Sequence, residues 1–123
     1  MKSTRQRNAI TASLEQAGRP MTAAETLSAA RQRYEGLGIA TVYRTLGLLL
    51  EEGWLTIVEL PGEPTRFERT ISQHHHYFRC RLCEQVFTLP GCIGAISSWV
   101  PPGFVHERHE VVLHGECASC RQV

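Results

Sequence analysis

Two Cys-x-x-Cys pairs constrain this chain more than any other feature; they occupy residues 80–83 (CRLC) and 117–120 (CASC). The spacing lets two thiolates bind one metal ion from a tight turn, and two pairs complete a closed tetrahedral set of four sulfur ligands. A closed set leaves no coordination position for a substrate. The alternatives are two redox motifs or incidental buried thiols, but a thioredoxin-like motif requires a βαβ context that is missing here. The pattern therefore predicts a structural zinc site made of Cys80, Cys83, Cys117 and Cys120.

The positions of the other metal-binding residue types support this interpretation. All five cysteines and all six histidines lie beyond residue 73, and the sequence contains no aspartate. Imidazole and thiolate ligands favour Zn²⁺ over magnesium, calcium or manganese. No apolar run approaches the roughly 20 residues of a membrane helix, and the first residues lack the apolar core of a signal peptide. We expect a cytoplasmic protein with no membrane partner, in which disulfides would be rare.

The first half of the chain has the pattern of three helices followed by a β-hairpin. Ser3 and Gln6 have capping-box spacing for one helix, and Thr22 and Glu25 have it for the next. Residues rich in strand formers flank a Pro-Gly-Glu-Pro turn at 61–64. The predicted helices are 3–17, 23–34 and 39–52, and the predicted strands are 54–60 and 65–69.

Apolar residues recur at helical spacing along the third helix and are expected to face the core. They are Ile39, Val42, Leu46, Leu49 and Leu50. Three helices followed by a hairpin is the order of a winged helix-turn-helix, predicted for residues 1–70; the alternative is a small helical domain with a hairpin appendage.

Residues 71–73 are predicted to form a short linker to a small α/β zinc-containing domain over 74–123. Within it we expect strand around the first Cys-x-x-Cys pair over 74–89, a short helix over 90–100, and a strand over 104–114. The fold class as a whole is therefore α+β. A domain of about fifty residues has little core, so its folding should depend on metal.

Three motifs together carry a family resemblance: ATVYRTL at 40–46, the histidine run at 74–76, and Gly-x-Cys-x-x-Cys at 115–120. With them the sequence resembles the ferric uptake regulator superfamily, most of all its zinc uptake regulator branch, from about Arg5 to Cys120. The resemblance implies a homodimeric, metal-dependent repressor of metal uptake genes that binds double-stranded operator DNA. The residues beyond 73 would then form the dimerisation domain.

The resemblance makes the third helix the recognition helix, and its helical spacing places Thr41, Tyr43 and Arg44 on the exposed side. Arginine can contact guanine or phosphate, and tyrosine a phosphate or a thymine methyl. Arg7 (or Arg5) and the wing residue Arg66 are candidate phosphate contacts. The first 44 residues carry seven basic and three acidic side chains, a net charge of +4, which suits a polyanion. The alternative for each arginine is a solvated surface charge.

A regulatory metal site is expected near the histidine run. If this segment is a strand, His74 and His76 share one face. The resemblance adds His109 and Cys92, giving a tetrahedral site of three imidazoles and one thiolate that favours zinc. The alternative for Cys92 is a small buried apolar side chain. His106 and His114 are expected to be surface or structural residues, and whether Glu68 and His75 form a second regulatory site stays open.

The expected mechanism is a population shift, in which sensor zinc fixes the linker and the angle between the domains to match DNA half-sites. Rivals within the superfamily respond to iron, manganese or peroxide. A zinc hydrolase or deaminase would need an open coordination position and a nearby carboxylate, and its motifs are missing, so we expect neither an enzyme nor a small organic substrate. A structural zinc-ribbon interaction module would leave the recognition-helix pattern unexplained.

Overall fold

The computed structural model describes residues 4–121, and the chain divides into two compact units, Met1–Ile71 and Ser72–Val123. The first unit contains α1 (Thr4–Ala17), β1 (Met21–Thr22), α2 (Ala23–Ala30), α3 (Ile39–Glu51), β2 (Leu55–Val58) and β3 (Arg66–Arg69). The second contains β4 (His75–Cys80), β5 (Val86–Pro90), a short 3₁₀ helix (Ile96–Trp99), β6 (Val112–Gly115) and α4 (Ala118–Arg121). No helix in the described part of the chain is long and apolar enough to cross a membrane.

Local signals in the sequence set the ends of the first two helices. The cap predicted at Ser3 lies outside the described residues. Helix α1 ends at Ala17, and Gly18 follows it with a φ of 62°, the left-handed conformation that glycine adopts after a helix. Helix α2 begins with the predicted capping box, because the Glu25 amide donates to Thr22 Oγ1 and the Thr22 amide donates to Glu25 Oε1, both at 3.0 Å.

Helix α2 is shorter than expected, since it ends at Ala30 rather than at residue 34. Gln32 and Arg33 turn the chain there by donating to carbonyls three residues earlier. The turn brings Leu37 into the core, where it is fully buried. The Arg31 side chain holds this turn by donating from Nε to the Leu37 carbonyl at 2.8 Å.

Helix α3 spans nearly the predicted range and packs against the core through Val42, Leu46 and Leu49. The placement of Ile39 on the core face was wrong, because Ile39 is the first residue of the helix and 43% exposed. Leu37, two residues earlier, is buried instead. The core of this unit also includes Ile10 and Leu14 from α1.

The hairpin expected after α3 forms, with β2 and β3 antiparallel and Ile57 opposite Phe67. A third strand, β1, pairs with β3 and gives the sheet order β1-β3-β2. With only two residues, β1 leaves no periodic pattern in the sequence. Three helices and this small sheet agree with the predicted winged-helix architecture.

The second unit is a three-stranded sheet with the order β5-β4-β6. Strand β5 is antiparallel to β4, whereas β6 is parallel to it. The predicted helix over 90–100 was wrong apart from the 3₁₀ helix at 96–99, and the predicted strand over 104–114 was mostly wrong, because regular pairing starts only at Val112. The apolar residues Phe104 and Val105 are 67% and 83% exposed, so the described part of the chain does not cover them. The mixed α+β class is nevertheless confirmed.

Candidate metal centres

The four paired cysteines meet at one end of the second sheet. Cys80 ends β4, Cys83 lies in the turn before β5, Cys117 follows β6, and Cys120 lies in α4. The two motifs come together because β4 and β6 are parallel and Cys80 lies opposite Gly115. The Arg81 amide also donates to the Gly115 carbonyl at 2.8 Å and joins the two turns. All four sulfur atoms lie within 4.8 Å of one another.

Cys80 is the most buried of these ligands and the one best prepared to be a thiolate. Its Sγ accepts the Cys117 amide at 3.3 Å and the Cys83 amide at 3.5 Å. The bond from the Cys83 backbone contributes most to lowering the pKa of Cys80 to about 6, against the opposing effect of burial. The pKa of Cys120 rises to about 12, because its thiol shares hydrogen bonds with Cys117 and then Cys80.

This arrangement fits a tetrahedral zinc ion. With zinc–sulfur bonds of about 2.3 Å, two ligands of a tetrahedron lie roughly 3.8 Å apart. The Cys83 and Cys117 sulfur atoms are 3.8 Å apart. Four sulfur donors and this separation match the closed structural site that the spacing predicted.

A second group of ligand atoms forms at the other end of β4. It contains His74 just before β4, His76 within it, Cys92 in the loop after β5, and His109 in the loop before β6. Cys92 Sγ lies 3.1 Å from the Nε2 atoms of both His76 and His109. The Nε2 atoms of His74 and His109 are 3.0 Å apart.

The donor set of this second group also fits zinc. Tetrahedral zinc with nitrogen bonds of about 2.0–2.1 Å separates two nitrogen ligands by roughly 3.3 Å. The observed separations are a few tenths of an ångström shorter, so small side-chain movements would admit the ion. The structure thus brings together the four residues proposed as a regulatory site, and Cys92 is exposed at its edge rather than buried as a small apolar side chain.

His76 is the buried member of this group, at 5% exposure. Burial, followed by the neighbouring imidazoles of His74, His109 and His75, lowers its pKa. The Val111 amide donates to its Nδ1 at 3.2 Å, which places the proton of the neutral ring on Nε2, towards Cys92. A metal ion bound through Nε2 would require the ring proton on Nδ1, where it would face the Val111 N–H, so this hydrogen bond would be lost.

His109 has a partner on its far side that the sequence did not single out. Its Nδ1 lies 3.0 Å from His106 Nε2, and His106 Nδ1 lies 2.7 Å from Ser97 Oγ. Burial, followed by the neighbouring imidazoles of His74 and His106, lowers the pKa of His109. The spacing His106-x-x-His109 was visible in the sequence, but the sequence did not show that His106 would contact Nδ1 of His109. His75, by contrast, is close to Tyr77 Oη (2.9 Å) and the Gln73 carbonyl (2.7 Å).

The proposed DNA-contact residues occupy different environments. In α3, Tyr43 is 58% exposed and Arg44 is exposed. Arg44 also donates to Thr41 Oγ1 at 3.0 Å, so the side chains of Arg44 and Thr41 form one polar surface.

The other two predicted contacts are engaged within the first unit. Arg7 is ion-paired with Glu52 at 2.6 Å on the surface. Arg66 is buried and donates to Glu63 at 2.9 Å. A phosphate contact needs an exposed guanidinium, so the position of Arg66 does not support its predicted role.

Known proteins match this chain over most of its length. A family model described as the ferric uptake regulator family matches residues 1–114. The zinc uptake regulation protein of Mycobacterium tuberculosis (strain ATCC 25618 / H37Rv) is 29% identical over 126 aligned positions, covering 98% of this chain and 95% of that protein. The ferric uptake regulation protein of Helicobacter pylori (strain J99) is 26% identical over 112 positions, covering 91% of this chain and 68% of that protein.

The fold also has solved counterparts. The structure of a zinc-bound manganese uptake regulator superimposes with a TM-score of 0.82 at 23% identity, covering 95% of this chain and 91% of that one. At this identity the likeness concerns the fold. The likeness extends over both units of the chain.

Proposed function

The chain belongs to the ferric uptake regulator family, and from that premise we propose that it is a zinc-responsive, DNA-binding transcriptional repressor. In this proposal Cys80, Cys83, Cys117 and Cys120 hold a permanent zinc ion, called the structural site below. His74, His76, Cys92 and His109 hold a reversible one, called the sensor site. Zinc would act as a cross-link in both, without chemistry on a substrate, so the proposal is a regulator and not an enzyme.

The observation that carries the proposal is the composition of the sensor site. Three imidazole nitrogens and one cysteine sulfur converge within 4.8 Å, a borderline-soft set that suits zinc better than manganese or magnesium. Similarity over 95% of the length of a zinc uptake regulation protein supports the same choice. A site with oxygen ligands would have favoured the iron or manganese members of the family.

The sensor residues also suggest how occupancy could change the chain. His74 and His76 lie at the start of β4, whereas Cys92 and His109 lie in loops with little regular structure. Binding one ion would tie both loops to β4. His74 is also only two residues beyond Ser72, where the second unit begins, so the same ion would restrain the backbone that leads to the DNA-binding unit.

The proposed DNA surface is the exposed side of α3. Tyr43 and Arg44 project from it, with Thr41 bonded to the Arg44 guanidinium. An exposed arginine on a recognition helix can read guanine or hold a phosphate. Arg7 would have to leave Glu52 before it could contact DNA, so it stands as a secondary candidate.

We propose that a second copy of the chain covers exposed apolar side chains of the second unit. Four large apolar side chains there are mostly exposed, and no other part of the described second unit covers them. They are Ile93 (70%), Trp99 (80%), Phe104 (67%) and Val105 (83%). Exposed aromatic and aliphatic residues are typical of a homodimer interface. A homodimer would present two recognition helices to an operator with two symmetric half-sites.

The experiment compares metals on a protein that carries only its structural zinc. A DNA fragment selected from a random pool by the zinc-loaded protein serves as the probe, and Zn²⁺, Fe²⁺ and Mn²⁺ are titrated separately at controlled free-metal concentration. We expect zinc to induce binding at the lowest free concentration. Replacing Cys92 by Ala should weaken the zinc response, whereas His114→Ala, which alters an exposed histidine of β6 outside both sites, should not. A response to iron or manganese at lower concentration than zinc would instead assign the chain to another metal.

A further inference from the structure

We propose that His106 is a positioning residue for the sensor site. Its imidazole is hydrogen-bonded to Ser97 and accepts a hydrogen bond from the Nδ1–H of His109. This hydrogen bond keeps the proton of His109 on Nδ1 and leaves the Nε2 lone pair free to bind the metal. The inference rests on the proposed function, because it gives a role to a side chain next to the sensor site. His106 itself is not among the four converging ligands.

The geometry separates this role from that of a ligand. His106 Nε2 meets Nδ1 of His109, at 3.0 Å, whereas the other nitrogen of His109 faces Cys92 and His74. The His106 and His109 rings are nearly parallel, with centroids 5.0 Å apart and an interplanar angle of 27°. His106 therefore contacts the side of His109 that points away from the sensor site.

The protons along this chain of hydrogen bonds have one arrangement compatible with metal. A neutral imidazole carries one N–H, so His109 can offer a lone pair at Nε2 only if its proton is on Nδ1. That N–H then donates to His106 Nε2, which must be an acceptor. His106 consequently carries its own proton on Nδ1 and donates it to Ser97 Oγ, 2.7 Å away.

The opposite arrangement would block the site. If Ser97 donated to His106, then His106 would donate from Nε2 to His109, and the His109 proton would sit on Nε2 towards Cys92. Ser97 and His106 can support either direction. A His109 ring with its proton on Nε2 would have to move that proton to Nδ1 before it could bind a metal ion, and this change costs binding energy.

This arrangement is the kind of outer hydrogen bond that fixes ring orientation and tautomer in metal-bound histidines. Losing such a partner commonly lowers metal affinity by about 10–100-fold. Ser97 lies in the 3₁₀ helix Ile96–Trp99, so the position of this helix also helps to determine how His109 is presented. The helix is short and irregular, and the hydrogen bond to His106 gives it a connection to the sensor site.

The test compares two substitutions, one of which can accept a hydrogen bond from His109 Nδ1–H while the other cannot. Gln can place an oxygen near the position of His106 Nε2, whereas Leu has a similar size and no acceptor. Zinc is titrated against a chromogenic chelator into protein that retains its structural zinc, which reports that the second unit is folded. We expect His106→Leu to weaken sensor zinc by about 10–100-fold and His106→Gln to restore most of the affinity.

A second readout distinguishes this role from a general structural one. In the zinc-loaded wild type, the Nδ1–H proton of His109 should give a downfield, slowly exchanging NMR resonance, because it is hydrogen-bonded. The resonance should persist in His106→Gln and be lost in His106→Leu. His114→Ala should change neither the affinity nor this resonance.

The outcomes separate the two proposals. Sensor affinity and an imidazole resonance that are unchanged in His106→Leu would overturn the role of His106 and leave the regulator intact. A wild-type chain that takes up no zinc beyond its structural ion would refute the sensor site and, with it, this inference.

Discussion

Replacing Cys80 by Ser should unfold the second unit while leaving the first unit folded. Cys80 is fully buried, and its sulfur accepts backbone amides from Cys83 and Cys117. A serine hydroxyl stays protonated near neutral pH and is a poor zinc ligand. The substitution therefore removes a metal ligand. It also replaces the thiolate that accepts hydrogen bonds from two backbone amides by a neutral hydroxyl.

The distribution of buried apolar residues sets the magnitude. Of the described residues, the buried apolar ones number fourteen in the first unit but two in the second, Cys80 and Val86. Burying a valine-sized side chain contributes about 1.5–3 kcal/mol, so this core supplies on the order of 5 kcal/mol. Structural zinc in small domains contributes about 10–16 kcal/mol. Since whole domains are stable by only about 5–15 kcal/mol, losing most of the zinc contribution should unfold the unit.

Amide NMR spectra of the two units provide the assay. In Cys80→Ser, resonances from residues 72–121 should collapse to the narrow dispersion of an unfolded chain, whereas those from 4–71 should keep their positions. Ser119→Ala is the matched control, because Ser119 lies between the ligands Cys117 and Cys120 without offering a sulfur. A Cys80→Ser protein with dispersed resonances throughout the second unit and less than one zinc per chain would refute the reasoning.

Three further predictions concern the DNA surface, the interface and the first unit. Arg44→Ala should weaken operator binding by about tenfold, and if Arg44 contacts a phosphate the salt dependence should fall by about one ion; fluorescence anisotropy across salt concentrations measures both, and unchanged binding would exclude Arg44. Trp99→Ser should weaken the dimer by about 2 kcal/mol, roughly 30-fold, as followed by analytical ultracentrifugation, and an unaltered dimer would place the interface elsewhere. Thr22→Ala removes the capping box of α2 and should destabilise the first unit by about 1 kcal/mol; thermal unfolding that matches Thr11→Ala would contradict this.

The sequence was most informative where chemistry or local capping fixes the outcome. Cysteine spacing predicted one ligand group, and the Thr22–Glu25 spacing predicted the start of α2. The sensor residues came from the family resemblance together with strand alternation at His74 and His76. In each case a few residues close in sequence, or a motif shared with a family, carried the information.

The expectations that failed depended on contacts distant in sequence. The 104–114 segment alternates like a strand, yet only Val112–Gly115 pairs with β4, and Phe104 and Val105 stay exposed. Strand β1 exists only because β3 is beside it. The hydrogen bond between His106 and His109 could not be predicted, because a spacing of three residues does not show which ring nitrogen of His109 faces the other metal ligands and which faces His106.

The central claim is that sensor zinc and operator DNA stabilise the same form of the protein, and reciprocal binding tests it most directly. The affinity of sensor zinc is measured with and without saturating operator, on protein that retains its structural zinc. The account predicts that operator tightens zinc binding by the same factor by which zinc tightens operator binding. Equal zinc affinities in the two conditions would contradict it.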